Sequence, residues 1–441
     1  MRFAQKGNAL ALTLTVLLVA TLLVSALMVG SGQSGNSANQ KMAKMQARYM
    51  AESAIRLEAW KLGNIGFDTT TPSFLTSHSS LAIPNVWMDS NDFWSRLGAT
   101  GTFKNQSATV IAELGMPLNP DAFRYGLRVL DTFATEERFS IRTQDSVMVG
   151  PWAGKVTSLQ LLEQLLNMPS ALVEHWNARL HNEFSPDTLK NCTQGCLHGS
   201  QHFSGANDFA SLPIVRVSTG DLSLEFPRAT TVHGTHILAV QGSVELHGDV
   251  TFDTLIILAE GAVHVRGNIS AKRLTLVSKG RVTLDGTGRM EVRVFAQGDL
   301  RIMGNMEFSP WSFLTTYPPQ DSTAGRGDIL LLDKTRFTGY AICASTSSLA
   351  PQAPMADEVG IYIAPQARAY GVVASLGSIQ NEGFLGGMAI THKLSCNGKP
   401  NINCAGNGQF NRDSLPAGFL QVPSLNFGEA RSIAAVRWTE L

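Results

Sequence analysis

Cysteine is scarce: five residues in 441 cannot define a disulfide-stapled fold, and a chain of this length can bury its cores without staples. Net charge is missing too. The 35 basic residues balance 35 acidic ones, so no global field draws the chain to nucleic acid, and no nucleic-acid partner is expected. The sequence has no GxSxG nucleophile elbow, no GxxxxGK[ST] phosphate loop and no HExxH metal motif. Gly286-Thr287-Gly288 and Gly406-Asn407-Gly408 lack the rest of a dinucleotide fingerprint and read as turns. The expectation is therefore a chain that is not an enzyme, with no catalytic residue, cofactor or metal. Glycine is abundant, at 40 residues, while charged residues make up only 16%, a mixture suited to tightly turned β structure.

Four of the cysteines fall in two close pairs, Cys192 with Cys196 and Cys396 with Cys404. In an oxidising compartment these would close two local loops. His175 and His181 lie near Glu174 and Glu183 without metal-ligand spacing and read as surface or boundary residues.

One stretch is long, apolar and free of charge. Ala9 to Val29 runs 21 residues, about 30 Å as a helix, which matches the thickness of a hydrocarbon core. Arg2 and Lys6 precede it, so the positive-inside bias places the N-terminus in the cytoplasm and the rest beyond the inner membrane. A cleaved signal peptide is the alternative, although no small-x-small site closes the run. After a polar link, Met42, Met45, Tyr49, Ile55, Leu57 and Trp60 recur among charged residues, as in an amphipathic stalk supported by Glu52 and Arg56 four apart.

The segment KGNALALTLTVLLVATLLVSALMV followed by QARYMAESAIRLEAW resembles the N-terminal region of PilX-type minor pilins of type IV pilus assembly. The resemblance covers about the first 60 residues. It implies a leader-processing site at Gly7 and Asn8, and pilin-like subunits and the inner membrane as partners. Asn8 stands where such pilins carry Phe or Met, and Leu12 where they carry Glu, which removes a usual assembly contact; the missing Glu is also similar to the tip-type minor pseudopilin of type II secretion.

Farther along, four units share one pattern: GSVELHG at 242–248, GAVHVRG at 261–267, GRVTLDG at 280–286 and GDLRIMG at 298–304, with starts 19, 19 and 18 residues apart. Val244/Leu246, Val263/Val265, Val282/Leu284 and Leu300/Ile302 alternate with polar residues, the signature of strands with one face in a core. A second strand precedes each unit, placing Leu238, Ile257, Leu276 and Val294, then Val240, Ala259, Ser278 and Ala296, on the inside. Such short strands cannot bury a face alone, but stacked coils can. The fold class is mainly β: a transmembrane and stalk helix, a small mixed α/β region, then a parallel β-helix with coils of about 19 residues, favoured over a β-sandwich.

Domain limits are set at 1–62 for the membrane helix and stalk, 63–210 for the mixed region, 211–390 for the β-helix with an insertion near 306–325, and 391–441 for a C-terminal cap. The outward row Ala239, Leu258, Val277, Phe295 needs a cover, expected from residues 125–210 or the stalk. Glu245, His247, His264, Arg266 and Asp285 form a mixed polar surface, read either as a solvated face of short ion pairs or as an interaction surface. The leading function is a membrane-anchored minor-pilin-like component with a periplasmic or filament-exposed domain; a tethered adhesin or carbohydrate-binding protein that meets surface glycans is the runner-up, and a polysaccharide-processing enzyme is third.

Overall fold

The computed structural model describes residues 37–59, 85–89, 95–117, 126–135, 141–143, 147–149, 178–190, 192, 195–205, 211–317, 326–344, 360–396, 408–410, 415, 421–423 and 434–440. The chain divides into two compact units, residues 1–115 with 427–441, and residues 116–426.

In the first unit a helix over residues 37–59 packs on an antiparallel sheet of β1 (Asn85–Asp89), β2 (Ser95–Phe103), β3 (Gln106–Pro117) and the C-terminal strand Ala434–Glu440. Its buried stripe is built of small residues, Ala43, Ala47, Ala51 and Ala54 with Ile55, whereas Met42, Met45 and Tyr49 are exposed. Alanine lets the two backbones touch. A side chain at Gly101 of β2 would strike the Ala47 carbonyl, so helix and strand approach more closely than larger residues would permit. The expected Glu52–Arg56 support is replaced by its mirror one turn earlier, Arg48 Nε donating to Glu52 Oε1 at 2.8 Å. Arg56 instead lies 5.6 Å over the Trp438 ring.

The membrane-anchored topology does not stand. Among the described residues no helix is long and apolar enough to cross a membrane, and helix 37–59 carries Lys41, Lys44, Arg48, Glu52, Arg56 and Glu58, charges that a hydrocarbon core resists. Ala9 to Val29 lies outside the described residues. The single-pass inner-membrane localisation, the cytoplasmic N-terminus, the periplasmic placement of the rest and the inner membrane as partner all need a membrane-spanning helix, and no described helix supplies one.

The second unit is a parallel β-solenoid. Its strands are β4 (Leu127–Thr135), β5 (Ile141–Thr143), β6 (Val147–Val149), β7 (Cys196–His198), β8 (Gln201–Ser204), β9 (Ile214–Ser218), β10 (Leu222–Val240), β11 (Val244–Ala259) and β12 (Val263–Ser278). They continue with β13 (Val282–Ala296), β14 (Leu300–Phe308), β15 (Ser312–Thr316), β16 (Ile329–Leu331), β17 (Arg336–Cys343), β18 (Ile361–Ile363), β19 (Arg368–Asn381), β20 (Phe384–Cys396) and β21 (Gly408–Phe410). Each coil lays down three faces. In β11 the first is Val244–Gly248, the third Val250–Phe252 and the second Leu255–Ala259, and β12 repeats the set one rung on. The inward rows are those the repeat predicts: Val244, Val263, Val282 and Leu300 are in mutual register and fully buried, as are Leu238, Ile257, Leu276 and Val294. The ~19-residue coil thus follows from the alternation of apolar residues and the glycine spacing.

Glycine turns the corners. Gly248, Gly267, Gly286 and Gly304 all have positive φ, and a side chain at each would strike the carbonyl of the rung below. Toward the C-terminus this role passes to a second column, Gly339, Gly371 and Gly387, at the junction of the third and second faces. The stack also reaches beyond the visible repeat. β7 and β8 start it at one end. At the other, β4 pairs in parallel with β20 and β5 with β21, so β4, β5 and β6 add one more coil onto the C-terminal one.

The outward row needing cover is longer than the repeat suggested: Ala239, Leu258, Val277, Phe295, Thr315, Ile342, Ala374 and Ile390 succeed one another and all are buried. The last residue of helix 178–183, Glu183, pairs at 2.9 Å with Arg216, the residue in register before Ala239. Strand β4 does not cover this face but extends it, with Arg128 in register with Ile390.

Candidate interaction surface

The strands of the first face hold the five polar residues in fixed order. Glu245 of β11 is in register with His264 of β12, His264 with Thr283 of β13, and Thr283 with Arg301 of β14. Two positions along, His247, Arg266, Asp285 and Met303 form the adjacent row. Strand alternation alone places them outward, because Val244, Leu246, Val263 and Val265 take the inside. Rungs stand about 4.8 Å apart, so the rows are ruled at that interval. Glu245, His247 and Arg266 are exposed; His264 and Asp285 are half-buried.

A surface of short ion pairs would tie these charges to one another. No salt bridge or side-chain hydrogen bond joins the five among the described residues. The closest approach to coupling is at His264, whose pKa is lowered from 6.5, first by burial and then by the Arg266 and Arg281 charges, against an opposing pull from Glu245. The imidazole therefore favours its neutral form more than a free histidine does.

Ion pairs gather instead at the edges of this face. Lys279 donates to Glu260 at 2.8 Å from one rung to the next. Asp299 accepts the backbone N–H groups of Arg326, Gly327 and Asp328 at 2.8, 3.2 and 3.3 Å, which seats the strand that follows. Beneath the covered second face, Arg293 is fully buried and donates to Glu291 at 2.9 Å. A buried guanidinium requires such a partner. Its sequence signal was Val292-Arg293-Val294, a charge at an outward position of a strand whose neighbours there, Thr275 and Phe313, are buried.

The remaining sites are dispersed. Cys192 and Cys196 are joined by a disulfide beside the first rung. Cys396 ends β20 and Cys404 lies outside the described residues, as do Gly7 and Asn8. Cys343 is a buried thiol in an inward row, and its Sγ donates to the Gly327 carbonyl at 3.2 Å. No group of three or more metal-ligating side chains converges among the described residues.

No family model matches the chain, and no curated protein or solved structure matches it. The resemblance of the first 60 residues to minor pilins is thus not supported by any match, and the pilus-assembly role, pilin-like partners and tethered-adhesin or glycan-binding alternative are withdrawn together with the membrane span on which they depended.

Proposed function

We propose that this chain is a non-catalytic interaction scaffold, a rigid β-solenoid whose first face presents Glu245, His247, His264, Arg266 and Asp285 to a macromolecular partner. One observation supports the reading. These side chains occupy two register-locked rows, carry both signs of charge, and are not consumed by pairing with one another. Packed coils below them, with Leu246, Val265 and Leu284 at most 1% exposed, hold the pattern rigid. A preorganised array loses little entropy when a partner docks, and opposed charges set the register of docking more than its strength.

The experiment is site-specific photo-crosslinking in native extract, with a photoreactive residue at position 247 or 266 and a control at the exposed Lys190. The reading expects one adduct of defined mass at 247 and 266, none at 190, and its loss when Glu245→Lys and Asp285→Lys are combined. Absence of a position-specific adduct contradicts it. So would turnover of a substrate that Glu245→Gln or Asp285→Asn abolishes, which would make the face an active site.

A further inference from the structure

The third face carries a row of a different kind. Arg289 of β13 is in register with Glu307 of β14, Glu307 with Arg336 of β17, Arg336 with Arg368 of β19, and Arg368 with Phe384 of β20. All four charged residues are exposed. None has an ion-pair partner among the described residues, although many other charges of the solenoid do. Arg368 lies 5.8 Å over the half-buried Phe384 ring, so the row ends on an aromatic surface. At its other end Arg289 borders a shallow groove of about 510 Å³ lined by Ala271 and Met290, by Thr251, Ser270 and Ser309, and by the opposed charges Lys272 and Glu291.

Stacking unpaired guanidinium groups one and two rungs apart is unfavourable unless an anion joins them. Their spacing and Glu307 select among anions. Arg289 and Arg336 are two rungs apart, about 9.6 Å, and Glu307 stands between them. A uniformly charged polymer meets repulsion at Glu307. A polypeptide does not, because it can set carboxylates over the arginines and a neutral or basic residue over the glutamate. In an extended polyproline-type strand, residues three apart share a face at about 9.3 Å, close to two rungs.

We propose that the Arg289, Arg336 and Arg368 row binds an extended acidic polypeptide segment laid along the solenoid axis, with one carboxylate on Arg289 and the next bridging Arg336 and Arg368. An apolar residue of the segment then meets Phe384 or the Met290 lining. This site lies on a different face from the one assigned the scaffold role, and either can fail alone.

The test uses the full chain and a fluorescein-labelled peptide of five Glu-Pro-Pro repeats, with fluorescence anisotropy read at rising salt. Binding is expected to weaken with ionic strength. Arg289→Gln, Arg336→Gln and Arg368→Gln should each raise the Kd roughly two- to fivefold, as exposed charge pairs do, and the triple variant at least about tenfold. Glu307→Gln should tighten binding about twofold. Thermal melts confirm that each variant stays folded, as expected for exposed positions. No binding at low salt, affinity indifferent to the three arginines, or equal affinity for a Lys-Pro-Pro peptide overturns the proposal. Tighter binding of oligothymidylate than of the acidic peptide also overturns it and assigns the face to a phosphate backbone.

Discussion

Leu127 is in parallel register with Ala389, so a strand that precedes the whole sequential solenoid in the chain completes its far end. Leu127 is fully buried there, with Val129 beside it on the same inward side. Because coils touch only their neighbours, damage at one end should stay local. Leu127→Asp is expected to speed amide exchange in β20 and β21 by at least about tenfold while β11 and β12 keep their protection, as read by mass spectrometry. Unchanged exchange in β20 would mean that residues 127–135 do not close the stack.

Strand phase has its own test. Val265 sits between Leu246 and Leu284 inside the coil, while its neighbour His264 faces out. Val265→Asp should cost about 3 kcal/mol or more by burying an unpaired carboxylate, and His264→Asp about 1 kcal/mol or less, part of it repulsion from Glu245. Urea denaturation midpoints separate the two. A slip of one residue would exchange the outcomes, and equal midpoints would contradict the inward rows.

Acid should weaken the solenoid in two windows. In the folded state His264 has its pKa lowered from 6.5, mainly by burial, so on acidification the unfolded chain takes up the proton first and stability falls from about pH 6.5 downward. Asp253 is held well below its ordinary 3.8 by the Lys272 ammonium, then by the Gly234 N–H and His233. Its contribution is complete above 3.8 and is lost as pH falls through the range beneath. His264→Gln should flatten the upper part of the stability profile and Asp253→Asn only the lowest part. The prediction fails if all three proteins lose stability in parallel from pH 7 to 3.

Much of the solenoid was legible because its periodicity is carried by side chains that do one thing each. Gly248, Gly267, Gly286 and Gly304 turn corners, and the valines and leucines between them fill the interior. Legibility ended where the same job passed to other residues. Past Phe308 the corner glycines change place to Gly339, Gly371 and Gly387, and coil length varies, which blurs the repeat. The coil formed by β4, β5 and β6 has no glycine column and pairs with a partner remote in sequence, a relationship that periodicity cannot reveal. In helix 37–59 size outweighed hydrophobicity: the alanines face the sheet because Gly101 brings it close, and the larger Met42, Met45 and Tyr49 are left outside. The five residues of the first face share two register rows that alternation makes visible, whereas the basic row of the third face depends on Arg336 and Arg368, which lie beyond the regular repeat.

Both proposed surfaces consist of rows that exist only if the coils are parallel and in register. Cysteine pairing reads that register directly. In a Glu245→Cys/His264→Cys variant the two α-carbons are register partners one rung apart, about 4.8 Å, within the range a disulfide spans. Mild oxidation of the folded chain, followed by peptide mapping, should show a 245–264 disulfide in high yield. In a Glu245→Cys/Asp285→Cys variant, two rungs and a two-residue offset apart, none should form. Equal yields in the two variants, or bridging only in the second, would contradict the stacked register.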